Sequence, residues 1–167
     1  MALVIENGSL VAGATSYASV SEARAYAAAR ASTLPAEDSA VEAALIVAMD
    51  YIESFRDDFQ GMKVDPLEQP LQWPRAGVRI DGAALPCTSI PKELKAAQCQ
   101  LAIESAGGLD LMPTGDGRDK IREKLDVIET EWAPGSGGSD QPFLSKVRAL
   151  MVPLFRSGEG RLKAIRG

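Results

Sequence analysis

The 167-residue chain contains no histidine, and this absence excludes several kinds of catalytic and metal site. Without histidine the chain cannot build a Ser-His-Asp or Cys-His catalytic unit, a histidine-ligated zinc site or a histidine-based pH switch. Its two cysteines, Cys87 and Cys99, are too few for a four-thiolate metal site. They could pair with each other, but one pair in a chain of this length is no disulfide framework.

Long apolar runs and a recognisable targeting signal are missing as well. No run approaches the roughly 18 apolar residues of a membrane span. The apolar run at residues 3–5 is short, and Glu6 follows it in a region where a secretory signal would be basic. We therefore expect a protein that stays in the cytosol with reduced thiols and does not associate with a membrane.

Aromatic side chains make up only 5% of the chain, so aliphatic residues must form most of the core. The composition, 46% hydrophobic and 25% charged, is typical of a folded globular domain. Its length suits one domain. We predict a single helical domain over residues 1–155 and a basic C-terminal tail over residues 156–167.

Charge is distributed unevenly along the sequence. The net charge is -5, but residues 1–60 hold 3 basic and 9 acidic side chains, whereas residues 118–167 hold 10 basic and 7 acidic ones. An acidic body with a basic end can join like subunits, or can dock its tail on an acidic or phosphate-rich surface. A solvated terminus is the alternative interpretation of the tail.

Hydrophobic periodicity predicts three longer helices and a short last one. We expect them at about residues 20–31, 38–56, 91–105 and 143–154. Ser19 and Glu22 have the spacing of a capping box at the start of the first helix. Pro91 suits the first turn of the third helix, and Gly107 ends it. Cys99 falls within that helix and is predicted to be a small buried side chain.

The remaining segments are predicted to be loops and short extended elements. A short strand is expected at residues 3–5, and a β arm at residues 120–132, where β-prone residues alternate imperfectly with polar ones. Residues 133–141 are rich in Gly and Ser and are predicted to be flexible. The predicted fold class is α+β and mostly α: a small bundle of three to four helices with a short N-terminal strand and an extended β arm.

Residues 57–90 contain four prolines and are predicted to form a long loop. Apolar side chains within it must pack on the core. We predict that Trp73, Pro74 and Arg75 are its structural anchor, because a tryptophan is more often buried than used as a ligand platform.

No catalytic, cofactor-binding or metal-binding pattern is recognisable. The sequence has neither a GxxxxGK[ST] phosphate loop nor a GxGxxG turn after a strand. Its neighbouring carboxylates fall on predicted helix surfaces, whereas general acid–base chemistry needs them in a cleft. We therefore expect no enzymatic activity and no cofactor.

Several short segments resemble one family of tailed-bacteriophage proteins. They are residues 13–17 (GATSY), 20–26, 71–75 (LQWPR), 90–91 with 96–99, and 124–132. Proteins of this family are often described as DnaT-like single-stranded-DNA-binding proteins, and they also resemble head–tail connectors, the adaptor rings under the portal. The resemblance covers most of residues 1–155.

The connector resemblance implies a structural virion protein. It would form a ring, commonly of twelve copies, in the neck between capsid and tail, after assembly in the bacterial host cytoplasm. Its partners would be copies of itself, the portal protein and a tail-side protein, with genomic DNA passing through the lumen without sequence-specific binding. The DnaT-like description implies instead a replication protein that binds single-stranded DNA.

Of these two alternatives, the net charge of the chain favours the connector. A single-strand binder needs a basic groove with exposed aromatic rings, whereas this chain has a pI near 4.8 and few aromatics. An acidic lumen would let duplex DNA slide without sticking. We therefore expect a connector, with the DNA-binding protein as the alternative.

Two segments are the expected contact surfaces of a connector. The candidates for portal docking are Leu154, Phe155, Arg156, Arg161, Leu162, Lys163, Ile165 and Arg166. The candidates for contact between subunits are Lys124, Val127, Ile128, Glu129 and Trp132. For this arm an added strand on a neighbour and an intramolecular hairpin remain alternatives.

Overall fold

The computed structural model describes residues 3–113 and 144–156, and in these ranges the chain forms a small helical bundle. Its helices are α1 (Val20–Ala28), α2 (Asp38–Glu53), α3 (Lys92–Ala106) and α4 (Ser145–Met151), and a 3₁₀ turn follows at Val152–Leu154. Four two-residue strands lie between α2 and α3: β1 (Met62–Lys63), β2 (Arg75–Ala76), β3 (Arg79–Ile80) and β4 (Ala83–Ala84). The predicted fold class, α+β and mostly helical, is confirmed. The predicted β arm at 120–132 lies outside the described residues.

The first helix begins as its sequence predicts. The Ser19 side chain accepts a hydrogen bond from the Glu22 N–H at 3.2 Å, and Glu22 Oε2 accepts one from the Ser19 N–H at 2.7 Å. This reciprocal pair is a capping box, which satisfies two backbone donors at the helix start. The helix ends at Ala28, earlier than predicted, and the chain then turns through Ala31, whose φ is +51°.

The second helix buries the apolar face that its periodicity predicts. Its buried side chains are Val41, Ala44, Leu45, Ala48, Met49, Tyr51 and Ile52. The helix ends at Glu53 rather than near residue 56, and backbone turns continue the chain to Asp58. Phe55 therefore lies just beyond the helix, at the edge of the core.

The third helix is the centre of the bundle and contacts α1, α2 and α4. Cys99 is 2% exposed, as predicted. The same helix buries the polar side chain of Gln98, whose amide makes four hydrogen bonds of 2.8–3.0 Å. The partners are Tyr17 N, Ala18 N, Ser16 Oγ and Leu45 O. Because every donor and acceptor of this amide is used, its burial is tolerated.

The N-terminal segment differs from its prediction. Residues 3–5 do not form a strand, and Ile5 makes only an isolated bridge with Ser16. The reason is the fully buried carboxylate of Glu6, which binds the backbone of the residues that follow, so that the chain turns instead of continuing as a strand. It accepts hydrogen bonds of 2.7–3.1 Å from the N–H groups of Gly8, Leu10 and Val11.

Within the predicted long loop at 57–90 the structure has two short antiparallel hairpins. β1 pairs with β2, placing Lys63 opposite Arg75, and β3 pairs with β4. The second hairpin turns at Asp81 and Gly82, both with positive φ, as a tight two-residue turn requires. Strands of two residues are too short to show a period in the sequence.

Two further findings apply to the residues that the structure describes. No helix among them is long and apolar enough to cross a membrane. Within the same ranges no group of acidic and cysteine side chains could hold a metal ion.

Candidate functional site

The candidate site is arranged around residues 59–61, which lie between α2 and β1 and whose backbone carbonyl groups accept hydrogen bonds. The Gln60 side chain donates to Arg79 O at 2.9 Å and to Pro153 O at 2.7 Å, and it accepts from Arg79 N at 3.0 Å. The Gln60 N–H donates to Leu154 O at 3.0 Å. Gln60 therefore makes hydrogen bonds both to the second hairpin and to the 3₁₀ turn at Val152–Leu154.

Two arginines from distant parts of the chain bind the carbonyl groups of this segment. Arg75 donates from Nε to Gln60 O at 2.8 Å and from Nη2 to Gly61 O at 2.9 Å. Arg156 donates from Nε to Phe59 O at 3.0 Å, and its backbone N–H donates to Asp58 O at 2.8 Å. We refer to Arg75 and Arg156 as the arginine pair.

Five of the nine aromatic side chains form one contiguous row beside the arginine pair. In order of contact they are Tyr51, Phe55, Phe155, Phe59 and Trp73, with ring centroids 5.3–5.7 Å apart. We refer to these five as the aromatic row. The Arg75 guanidinium lies 5.8 Å from the centre of the Phe59 ring, within the range of a cation–π contact.

The aromatic row runs from the core to the surface. Trp73 and Phe59 are fully buried, whereas Phe55 and Phe155 are half-buried. Arg156, which follows Phe155, and Arg79, whose backbone binds Gln60, are both exposed, and Arg79 Nη2 donates to Gly82 O. The surface therefore combines partly accessible aromatic rings with cationic side chains, which is the composition that binds single-stranded nucleic acid.

In the described part of the chain no carboxylate oxygen lies within 4.0 Å of the side-chain nitrogens of Arg75, Arg79 or Arg156. Burial, followed by the like charge of Arg156, lowers the pKa of Arg75, although Tyr17 and Glu53 act in the opposite direction.

A partly buried carboxylate, that of Glu53, is linked to the site through Gln72. Both oxygens of Glu53 accept from the Gln72 N–H, at 3.1 and 3.0 Å, and Oε1 accepts from the Tyr17 hydroxyl at 2.6 Å. Gln72 Oε1 in turn accepts from Arg75 Nη1 at 3.1 Å. Burial raises the pKa of Glu53, although the hydrogen bonds from Tyr17 and Gln72 act against the rise.

The structure brings together residues that the sequence predicted for different roles. Trp73, Pro74 and Arg75, the predicted anchor, are all buried. Phe155 and Arg156, predicted for portal docking, lie in the aromatic row and the arginine pair. Most of the other predicted contact residues lie outside the described residues: Arg161, Leu162, Lys163, Ile165 and Arg166, together with Lys124, Val127, Ile128, Glu129 and Trp132.

One predicted docking residue is not accessible. Leu154 is fully buried in the core, so its side chain is not available to a partner in this conformation. Sequence reasoning also missed Phe55, Phe59, Gln60 and Arg79. The available signal was that Phe55 and Phe59 lie four residues apart at the end of a predicted amphipathic helix. Their contact with Phe155, however, is formed only by folding.

The comparison with protein families decides the classification. The model of the family described as "Putative DnaT-like ssDNA binding protein" matches residues 1–167. The chain belongs to this family. No curated protein and no solved structure matches the chain.

Membership of this DnaT-like family corrects the functional prediction. The expectation of a head–tail connector, with portal and tail proteins as partners and DNA passing through the lumen of a twelve-membered ring, is wrong, and the family supports the alternative. The error came from weighing the charge of the whole chain. A net charge of -5 is compatible with a local cluster of arginines, and screening limits the reach of distant acidic groups.

Proposed function

We propose that the protein is a single-stranded-DNA-binding protein of the replication type. The observation that carries the proposal is the family match over residues 1–167. The surface beside residues 59–61 supports it, because it joins partly exposed aromatic rings to exposed arginines. We infer that the strand binds there.

Each component of this surface has a separate task in the proposed function. The side chains of Arg79 and Arg156 attract the phosphates, so binding weakens as salt increases. The half-buried rings of Phe55 and Phe155 offer surfaces on which unpaired bases stack. Because the bases of a duplex are already stacked on each other, we expect single strands to bind more tightly than duplexes.

Fluorescence anisotropy with a labelled oligothymidylate tests the proposal. The strand should exceed the site sizes of about 4–16 nucleotides that are common for single-strand-binding domains. We expect a complex at micromolar protein and low salt, and weaker binding to a duplex of equal length. Absence of a complex under these conditions would contradict the proposed function.

Two variants test the location of the site. Phe55→Leu should weaken binding by about 1 kcal/mol or more, since it removes a stacking surface. Arg79→Gln should reduce affinity and lower the salt dependence by about one phosphate contact. The matched control is Lys92→Gln, which removes an exposed cation at the start of α3, outside the site. Equal losses in Arg79→Gln and Lys92→Gln would show that only net charge matters.

A further inference from the structure

The arginine pair is an unusual arrangement because two guanidinium groups bind consecutive carbonyl groups and the charge of Arg156 acts on Arg75. The acceptors of the pair are the carbonyl groups of Phe59, Gln60 and Gly61, which are consecutive in the chain. Carbonyl oxygens carry only partial charges and do not neutralise two guanidinium ions. Two like charges repel each other, and the Glu53 carboxylate, which acts on Arg75, offsets part of this repulsion; a bound phosphate would add to that compensation.

The two members of the pair differ in accessibility. Arg75 is 4% exposed, and its Nε, Nη1 and Nη2 atoms all donate to protein oxygens. Arg156 is exposed and donates from Nε to Phe59 O. Within the described ranges its two Nη atoms have no acceptor, so they can form the paired hydrogen bonds that a phosphate accepts.

The position of Arg156 is fixed by its backbone. Its N–H donates to Asp58 O, and the preceding residue, Phe155, forms an antiparallel bridge with Phe59. The Phe155 ring lies 5.7 Å from the rings of both Phe55 and Phe59. An exposed guanidinium group and a half-buried aromatic ring therefore occupy consecutive positions on a hydrogen-bonded backbone.

We propose that the arginine pair binds one phosphate of an unpaired nucleotide whose base stacks on Phe155. Arg156 contacts the phosphate directly. Arg75 is a positioning residue that holds residues 59–61 and adds positive charge from beneath. This inference rests on the proposed function, and it names the unit of the strand that the site recognises: one phosphate together with one unpaired base.

Two measurements on the full chain test the inference. In the first, the arginine Nε–H signals of the 15N-labelled protein are followed by NMR during titration with inorganic phosphate, with sodium chloride at matched ionic strength as the reference. In the second, oligothymidylate affinity is measured for the wild type, Arg156→Gln, Arg156→Lys and Arg30→Gln. Arg30 is the matched control, since its guanidinium also lies on an aromatic ring, 3.5 Å from the centre of Tyr26.

We expect phosphate to move the Nε–H signal that disappears in Arg156→Gln, and to leave the signal of Arg30 in place. Arg156→Gln should lower oligothymidylate affinity about tenfold, because it removes a charge-assisted contact. Arg156→Lys should retain part of the affinity, and Arg30→Gln should bind like the wild type.

The inference and the proposed function fail in different ways. An unmoved Arg156 signal, equal movement of the Arg30 signal, or unchanged affinity in Arg156→Gln overturns the inference while strand binding by the wild type stands. If phosphate moves the Arg156 signal but no strand binds, the nucleotide assignment and the proposed function both fail, and a free-phosphate site remains.

Discussion

The hydroxyl group of Tyr17 donates a hydrogen bond to Oε1 of Glu53 at 2.6 Å, across 36 positions of sequence. The same hydroxyl accepts a hydrogen bond from the backbone N–H of Trp73 at 3.2 Å. This contact links the segment before α1 to the end of α2 and to the tryptophan of the aromatic row. It also holds the partly buried carboxylate of Glu53 next to Gln72, which accepts a hydrogen bond from Arg75.

The first prediction concerns the pH dependence that this carboxylate causes. Burial raises the pKa of Glu53 above its ordinary value of 4.5, so the folded state keeps this proton to higher pH than the unfolded state does. The stabilising contribution of the group is therefore complete below pH 4.5 and is lost as the pH rises through the raised pKa. Glu53→Gln should not show this loss.

Urea unfolding of the wild type and Glu53→Gln over a range of pH checks this prediction. The free energy of unfolding of the wild type, relative to the variant, should decrease as the pH rises above about 4.5. The control is Glu37→Gln, which removes an exposed carboxyl group beside α2. A stability difference between the wild type and Glu53→Gln that stays constant with pH would contradict the assignment.

Replacing Gln98 should destabilise the protein strongly. Gln98→Leu removes the hydrogen bonds of Gln98 to four buried groups and leaves the Tyr17 N–H without an acceptor among the described residues, so we expect a loss of about 3–5 kcal/mol in the free energy of unfolding. Gln100→Leu is the control on the same helix, because Gln100 is also buried but within the described residues its side chain makes only two hydrogen bonds, from Nε2 to Glu104 at 2.7 Å and from the Tyr26 hydroxyl at 3.5 Å. Chemical denaturation should rank Gln98→Leu as clearly less stable, and similar losses would argue against the special role of Gln98.

A methyl group at Gly8 should be poorly tolerated. Gly8 has a φ of +105°, and a Cβ there would lie 1.9 Å from the carbonyl oxygen of Thr88. We expect Gly8→Ala to cost about 3 kcal/mol or more, from backbone strain and the clash together. Gly13 also has a positive φ, +69°, but a Cβ added there would have no atom within 4 Å. Thermal unfolding should therefore show a smaller loss, about 1 kcal/mol, for Gly13→Ala.

The two cysteines should differ in reactivity towards a thiol reagent. Cys87 is exposed, whereas burial of Cys99 raises the pKa of its thiol to about 11. Because the thiolate is the reacting form, the native protein should show one fast thiol at neutral pH. Cys87→Ser should abolish the fast phase in an assay with dithiobis(nitrobenzoate). Fast labelling that persists in this variant would disprove the burial of Cys99.

Much of the helical framework could be predicted from the sequence. The apolar face of α2 follows from a local period, and the start of α1 follows from Ser19 and Glu22, three residues apart. Gly107 lies just beyond the last residue of α3, as predicted. These features depend on interactions within one or two turns of a helix, so neighbouring residues are sufficient to determine them.

The candidate site was decided by tertiary structure. It joins Phe55 from just beyond α2, Arg75 from β2 and Arg156 from the C-terminal part of the described chain, all arranged around residues 59–61. No local pattern marks these residues as neighbours, and the total charge of -5 hides a cluster of arginines. The sequence by itself determined the helices because their hydrogen bonds and apolar faces repeat locally. Only folding could determine the site, because its charges and aromatic rings act through distances in space.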